Sequence, residues 1–197
     1  MQHLYGQTLG LVACGNIAMA VAKRAIALSM RVIAYDPYID SEEVSRHGIE
    51  LVGSLEELLG QSDIVSVHAP KTPETVHLMN LKAFAQMKPT AYLVNTARGP
   101  IVEEGALINA LENGLIAGAA LDVFEEEPWP ASSALREMNN VVFTPHTASY
   151  TDASFERLSQ RVSESAVHVL TGHWPRYVAN KAIANKLELM ACPDPPS

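Results

Sequence analysis

The sequence predicts an α/β protein, a doubly wound parallel sheet with helices on both faces. Short apolar runs alternate with stretches of helical periodicity along almost the whole 197-residue chain, as repeated βαβ units require. Almost every apolar run also stops at a polar or conformationally special residue: Ala13–Gly15, Asp36, Ala69–Pro70, Thr96–Arg98, Asp122 and His146. Right-handed crossovers place such strand ends on one rim of the sheet, and that rim is where open α/β sheets bind ligands.

Leu9–Ala13 reads as the first strand, and Cys14-Gly-Asn-Ile-Ala18 opens a helical pattern that runs through Ser29, with Ile17, Val21, Ala25 and Leu28 expected on its buried face. Arg31–Tyr35 is a second strand, stopped by Asp36-Pro37, and the three pieces make one βαβ unit. Ile49–Val52 follows as a short strand, and Ser54 with Glu57 forms a capping-box signal ahead of Leu55, Leu58 and Leu59. Asp63–Val67 is a strand ending in His68-Ala-Pro70; Thr72–Met87 holds a turn and a helix; Ala91–Val94 is a strand ending in Asn95-Thr-Ala-Arg-Gly-Pro100. Val102–Asn113 is helical, with Gly114 in a C-terminal capping position. Ile116–Leu121 is apolar and uncharged, a strand buried on both faces, and it breaks off in Asp122-Val-Phe-Glu-Glu-Glu-Pro128. Val141–Thr144 is the last strand, Pro145-His146 ends it, and Thr151–Leu170 is the longest helix. The tail from Ala191 is expected to be disordered.

Composition narrows the possible partners. There are 22 acidic against 14 basic residues, for a net charge of −8, and no basic cluster, which argues against nucleic acid or an anionic membrane as a main partner. Cys14 and Cys192 are far apart with no metal-ligand spacing, so neither a disulfide framework nor a metal site is expected. Met1–Gly6 has no basic and apolar leader pattern, and no apolar run approaches the roughly 18 residues of a membrane helix. A soluble, cytoplasmic protein is expected.

The motif Ala13-x-Gly15-x-x-Ala18 is a degraded dinucleotide fingerprint. The central glycine lets backbone approach a pyrophosphate, whose charge is favoured at the helix N-terminus. Ala13 departs from it, since the first position normally needs glycine for the tight turn. Asp36, 18 residues beyond Ala18, suits a ribose 2′-hydroxyl and repels a 2′-phosphate, so NAD is favoured over NADP. Its plainer reading is a turn residue that ends a strand before proline. Arg98 at the end of a buried strand suits an anion such as a substrate carboxylate, with a structural salt bridge as its alternative, and Gly99 permits close backbone approach. His146 suits general acid–base work, and a glutamate against it would hold its tautomer and raise its pKa. A lone histidine is more often merely structural.

Together these residues resemble the D-isomer-specific 2-hydroxyacid dehydrogenase family, in its phosphoglycerate dehydrogenase and C-terminal-binding-protein branch. The motifs are Val12–Ala18, Ala34-Tyr-Asp-Pro37, His68-Ala-Pro70, Val94–Pro100, Ala120–Pro128 and Thr144-Pro-His-Thr-Ala-Ser149. The resemblance implies a Rossmann-like NAD-binding domain over residues 4–180, with residues 181–197 a remnant of a second domain or a disordered tail. It implies an Arg98, Glu127 and His146 catalytic triad, in which Arg98 binds the substrate carboxylate and Glu127 pairs with His146. It implies that Asp122 holds the nicotinamide carboxamide, that Asn16 and Ile17 join Gly15 at the pyrophosphate, and that Thr96, Ala97 and Ala148 lie near the nicotinamide. Asp36, Ala69, Pro70, Arg98 and His146 complete the expected cofactor set. Glu125 and Glu126 are left as solvated spacer charges. The implied reaction converts a small 2-oxo acid, NADH and a proton into a D-2-hydroxy acid and NAD. The substrate-side domain is expected to be largely absent, Trp174–Val178 resembling the return crossing into it, so the chain alone is expected to bind NAD with little turnover. A homodimer is the family's default. The rival reading is an NAD-sensing binding protein of the corepressor type.

Overall fold

The computed structural model describes residues 3–180, 182–183 and 186–193. The chain divides into two compact units, Met1–Ala148 and Ser149–Ser197.

The first unit is a seven-stranded sheet in the order β3-β2-β1-β4-β5-β6-β7, and each neighbouring pair is parallel. Its strands are β1 (Thr8–Val12), β2 (Arg31–Tyr35), β3 (Glu50–Leu51), β4 (Ile64–Val67), β5 (Tyr92–Asn95), β6 (Gly118–Leu121) and β7 (Val141–Phe143). Between them run α1 (Asn16–Ala27), α2 (Ser41–Arg46), α3 (Leu55–Gln61), α4 (Leu81–Phe84) and α5 (Glu104–Glu112), with 3₁₀ turns at Gly99–Ile101 and Ala134–Glu137. Successive strand residues feed two cores on opposite faces: Leu9, Leu11, Val32 and Ala34 enter one, while Val12 and Ile33 enter the other. That is the two-sided burial expected of a parallel sheet covered by helices. The chain switches direction of winding between β1 and β4, so a crevice opens beside their carboxyl ends.

Three elements differ from the sequence expectation. The buried residues of α1 are Ala18, Ala22 and Ala25, whereas Ile17 is 70% and Leu28 56% exposed. Periodicity located a stripe one residue off, because the helix lies close to the sheet and only small side chains fit beneath it. Helix α2 carries a single buried apolar residue, Val44, which is too little for a periodic signal; Asp40 caps it by accepting from the Glu42 N–H at 2.8 Å. The capping box at α3 is also displaced. Ser54 Oγ accepts from the Glu57 N–H, but the Glu57 carboxylate takes the N–H of Gly53 rather than of the cap residue.

The second unit is built on α6 (Asp152–Leu170), whose N-terminus is closed by a reciprocal Thr151–Ser154 capping box. No α6 residue is buried, although Phe155, Leu158, Val162 and Val169 form an apolar stripe, each about half exposed. The expected tail lies outside the described residues from 194 onward, and residues 191–193 carry no regular structure.

Candidate active site

The strand ends assemble as the topology requires, and the β1–α1 turn lies at the switch point. Gly15 is the N-cap of α1 and contributes no side-chain cap to the free N–H groups of the first turn. A Cβ built on Gly15 meets nothing within 4 Å, so the protein's own packing does not require glycine here. The open space in front of those amides suits a phosphate group. Ala13 stands in the left-handed region at φ +69°, the conformation for which the fingerprint normally supplies glycine. The departure is therefore one of residue type, and the turn is kept. Left-handed backbone costs an alanine about 1–2 kcal/mol, and glycine's extra unfolded-state freedom offsets about 0.4–1 kcal/mol of the gain from replacing it. Ala13→Gly should raise stability by about 0.5–1 kcal/mol, read as a higher urea midpoint at unchanged slope; a lower midpoint would rule out strain at this turn.

Asp36 ends β2 with one carboxylate oxygen accepting from the Cys14 N–H and the other from the Tyr38 N–H, both at 2.9 Å. It thus ties its own turn to the β1–α1 turn, and each oxygen keeps a lone pair for a hydroxyl. Both sequence readings of Asp36, turn residue and ribose acceptor, fit one side chain. At the end of β4, Ala69 is buried and Pro70 exposed. His68 beside them bonds Ser66 Oγ at 2.9 Å, and burial pushes its pKa down.

On the other side of the switch point, β5, β6 and β7 bring Arg98, Glu127 and His146 to the same rim. His146 Nδ1 lies 3.0 Å from Glu127 Oε2, and its Nε2 takes no hydrogen bond from the described residues. The other Glu127 oxygen accepts from the Phe124 N–H at 3.1 Å. The His146 hydrogen bond, more than any other influence, holds the Glu127 carboxyl below its ordinary range; partial burial opposes this, and the Phe124 N–H and the charges of His146 and Arg98 add to it. Arg98 is exposed, and its guanidinium donates to its neighbour's carbonyl, Ala97 O, at 2.6 Å. Among the described residues it makes no salt bridge, so the structural alternative for Arg98 is not realised there. Thr96 and Ala148 are exposed and Ala97 half-buried on the same rim.

Asp122 is only 4% exposed, and its carboxylate organises the loop after β7. It accepts from Thr144 Oγ1 at 2.5 Å, the Thr147 N–H at 2.8 Å and the Ala148 N–H at 3.0 Å. Burial pulls its pKa up, but these three donors and the neighbouring His146 outweigh it, and the net shift is downward. Asp122 carbonyl also accepts the His146 N–H at 2.8 Å, which fixes His146 in a left-handed conformation at φ +56°. One residue thus sets the path of the backbone on which the histidine rides.

One sequence assignment is corrected. Glu125, expected to be a solvated spacer, pairs with His77 Nε2 at 2.5 Å and caps α5 by accepting from the Glu104 N–H at 2.8 Å. Its partners lie 48 and 21 residues away, beyond any local pattern. Glu126 is exposed, as expected. Also without a local signal is the aromatic cluster on Trp129, two residues past Glu127: Phe124 stacks on it at 4.0 Å, Phe143 packs edge-to-face with it at 4.7 Å, and the Arg136 guanidinium covers it at 4.3 Å. The Glu127–Pro128 peptide, between Phe124 and Trp129 in the chain, is cis.

Fold and rim together define a Rossmann-like, doubly wound domain with a ligand crevice at its switch point. Residues 1–148 match the family described as D-isomer specific 2-hydroxyacid dehydrogenase, NAD binding domain, and the chain belongs to that family. Similar proteins include a glyoxylate reductase of Thermofilum pendens, 44% identical over 92% of this chain and 53% of its own length. A D-3-phosphoglycerate dehydrogenase of Methanocaldococcus jannaschii is 42% identical over 90% of this chain and 34% of its own length. Among solved structures, an NAD-complexed D-isomer specific 2-hydroxyacid dehydrogenase from Lactobacillus delbrueckii ssp. bulgaricus superposes with a TM-score of 0.81 at 35% identity, covering 91% of this chain and 58% of that one. The chain thus spans about half, or a third, of the length of the curated relatives it matches.

Proposed function

We propose that this chain is the cofactor-binding part of an NAD-dependent oxidoreductase that interconverts a small 2-oxo acid and its D-2-hydroxy acid. The observation that carries the reading is the Glu127–His146 pair at 3.0 Å, on the same sheet rim as Arg98 and the open turn at Gly15. The backbone of Gly15, Asn16 and Ile17 would hold the pyrophosphate and Asp36 a ribose. Ala69, Pro70, Thr96, Ala97, Asp122 and Ala148 would lie along the rest of the cofactor. Bound there, NADH supplies a hydride for the substrate's carbonyl carbon. Arg98, free of a salt bridge among the described residues, would bind the substrate carboxylate and steady the developing alkoxide. His146 would deliver the proton from Nε2, while Glu127 on Nδ1 fixes its tautomer. Residues 4–180 are taken as the nucleotide-binding domain and 181–197 as a tail, and the proposed setting is the cytoplasm, where an NAD pool is at hand. The bare apolar stripe of α6 supports a homodimer in which a second copy covers it; sedimentation equilibrium reads that state directly.

Titration calorimetry with NADH tests the cofactor half. Saturable heat is expected, with stabilisation of about 2.7 kcal/mol at 100 times Kd. Asp36→Asn should weaken NADH and narrow its preference over NADPH. No heat and no shift in Tm with NADH would end the proposal.

A further inference from the structure

We propose that His77 is a positioning residue that sets the spacing between the loop carrying Arg98 and the loop carrying Glu127. The inference rests on the catalytic reading above. His77 lies in the segment after β4, outside every strand and helix, and its backbone is left-handed at φ +55°. Its N–H donates to the Pro100 carbonyl at 2.9 Å, two residues past Arg98. Its carbonyl accepts from Asn80 Nδ2 at 3.1 Å. Beyond it Met79 bridges to Val102 in parallel, with the Met79 N–H on the Ile101 carbonyl and the Glu103 N–H on the Met79 carbonyl. From this strap the imidazole reaches across to Glu125 Oε1 at 2.5 Å, two residues before Glu127. One residue therefore grips both loops, one through its backbone and the other through its ring.

Magnitudes argue that stability alone does not account for the arrangement. The pair is partly exposed, with side chains 43% and 32% accessible, and such pairs contribute about 0–1 kcal/mol. A left-handed residue other than glycine costs about 1–3 kcal/mol and persists where its surroundings over-determine it, most often at functional sites. The strap is thus neutral or slightly costly as a fold element. What it supplies is position: Phe124, adjacent to Glu125, donates the N–H that orients Glu127, and Glu127 in turn holds His146.

The test is a carbon-detected NMR titration of the Glu127 carboxyl in this chain. The native side chain titrates below the ordinary glutamate range, because of its hydrogen bond to His146 before all else. His77→Asn keeps a residue that tolerates left-handed backbone but is too short to reach Glu125, and it should move the Glu127 midpoint upward. His77→Gln restores a donor of similar reach without charge, and should bring the midpoint back down. A Glu127 midpoint unmoved by His77→Asn would overturn the proposal, as would an upward shift that His77→Gln fails to reverse. If His77→Asn does not fold, His77→Gly, which accepts left-handed backbone and carries no ring, is titrated instead, with the same expected rise and the same overturning result. His146→Asn separates the two readings. If removing His146 leaves Glu127 unmoved, the pair assignment fails; if Glu127 moves there but not with His77→Asn, only the strap fails.

Discussion

Replacing His146 with glutamine should lower the rate of 2-oxo acid reduction about 10²–10⁴-fold, the usual worth of a positioned general acid. The chain spans about half the length of a relative such as the Thermofilum pendens glyoxylate reductase, so the assay uses a chimaera in which residues 4–180 replace the matched segment of that relative. Glutamine retains bulk and hydrogen-bonding capacity but has no proton to give at the working pH. The loop should keep its course, because Asp122 holds it through Thr144, Thr147 and Ala148 rather than through the ring. Glu127→Gln should cost less, since it removes a tautomer-fixing partner and not the proton donor. Glu126→Gln, altering an exposed side chain, should leave the rate unchanged. Equal effects at Glu126 and Glu127 would show that a general negative field, rather than one oriented carboxylate, is what matters.

Replacing Gly99 with alanine should destabilise the protein by about 3 kcal/mol or more, at the upper end of overpacking effects. A Cβ there would run into the Phe124 carbonyl group and come within 2.6 Å of the Glu125 nitrogen. The obstacle is backbone on both sides, so no rotamer change can relieve it. The sequence suggested that this glycine permits close approach, and it does, but what approaches is the loop after β6. Forcing the two loops apart would also move Arg98 from Glu127, so the effect extends beyond folding. Guanidinium denaturation at unchanged slope is the measurement. A loss under about 1 kcal/mol, the scale of an ordinary surface change, would mean that these loops are not held in contact.

The sheet and the rim were legible because apolar runs and their polar stops are local properties of the chain. Seven strands in parallel follow from that alternation, and so does the grouping of Asp36, Arg98, Asp122 and His146 at strand ends. Choosing Glu127 among three consecutive glutamates was different. Nothing in the residue types separates them, and the choice came from a family motif. The structure shows why it is needed: Glu125 and Glu127 both face histidines, one 48 and the other 19 positions away. The face of α1 was misjudged because hydrophobicity alone ranks isoleucine above alanine, whereas the close sheet admits only the smaller side chain. Ala13 taught the converse. A residue that breaks the fingerprint by type satisfies it in conformation, and dihedral angles are not written in composition.

The strand order has a bearing on cooperativity. β3, β2 and β1 come from one continuous stretch of chain, and β4 to β7 from the next, so each side of the sheet can form from contacts nearby in sequence. They join along a single seam, where Leu9 to Val12 pairs with Ile64 to Val67. Gly15 and Asp36 belong to one side of that seam, and Arg98, Asp122 and His146 to the other. A dinucleotide lying across it would act as a rivet, so that the halves could part only after the ligand had left. Hydrogen exchange at the β1–β4 amides should then slow with added NADH far more than exchange inside either half, which makes the cofactor a fastener of the domain as well as its reagent.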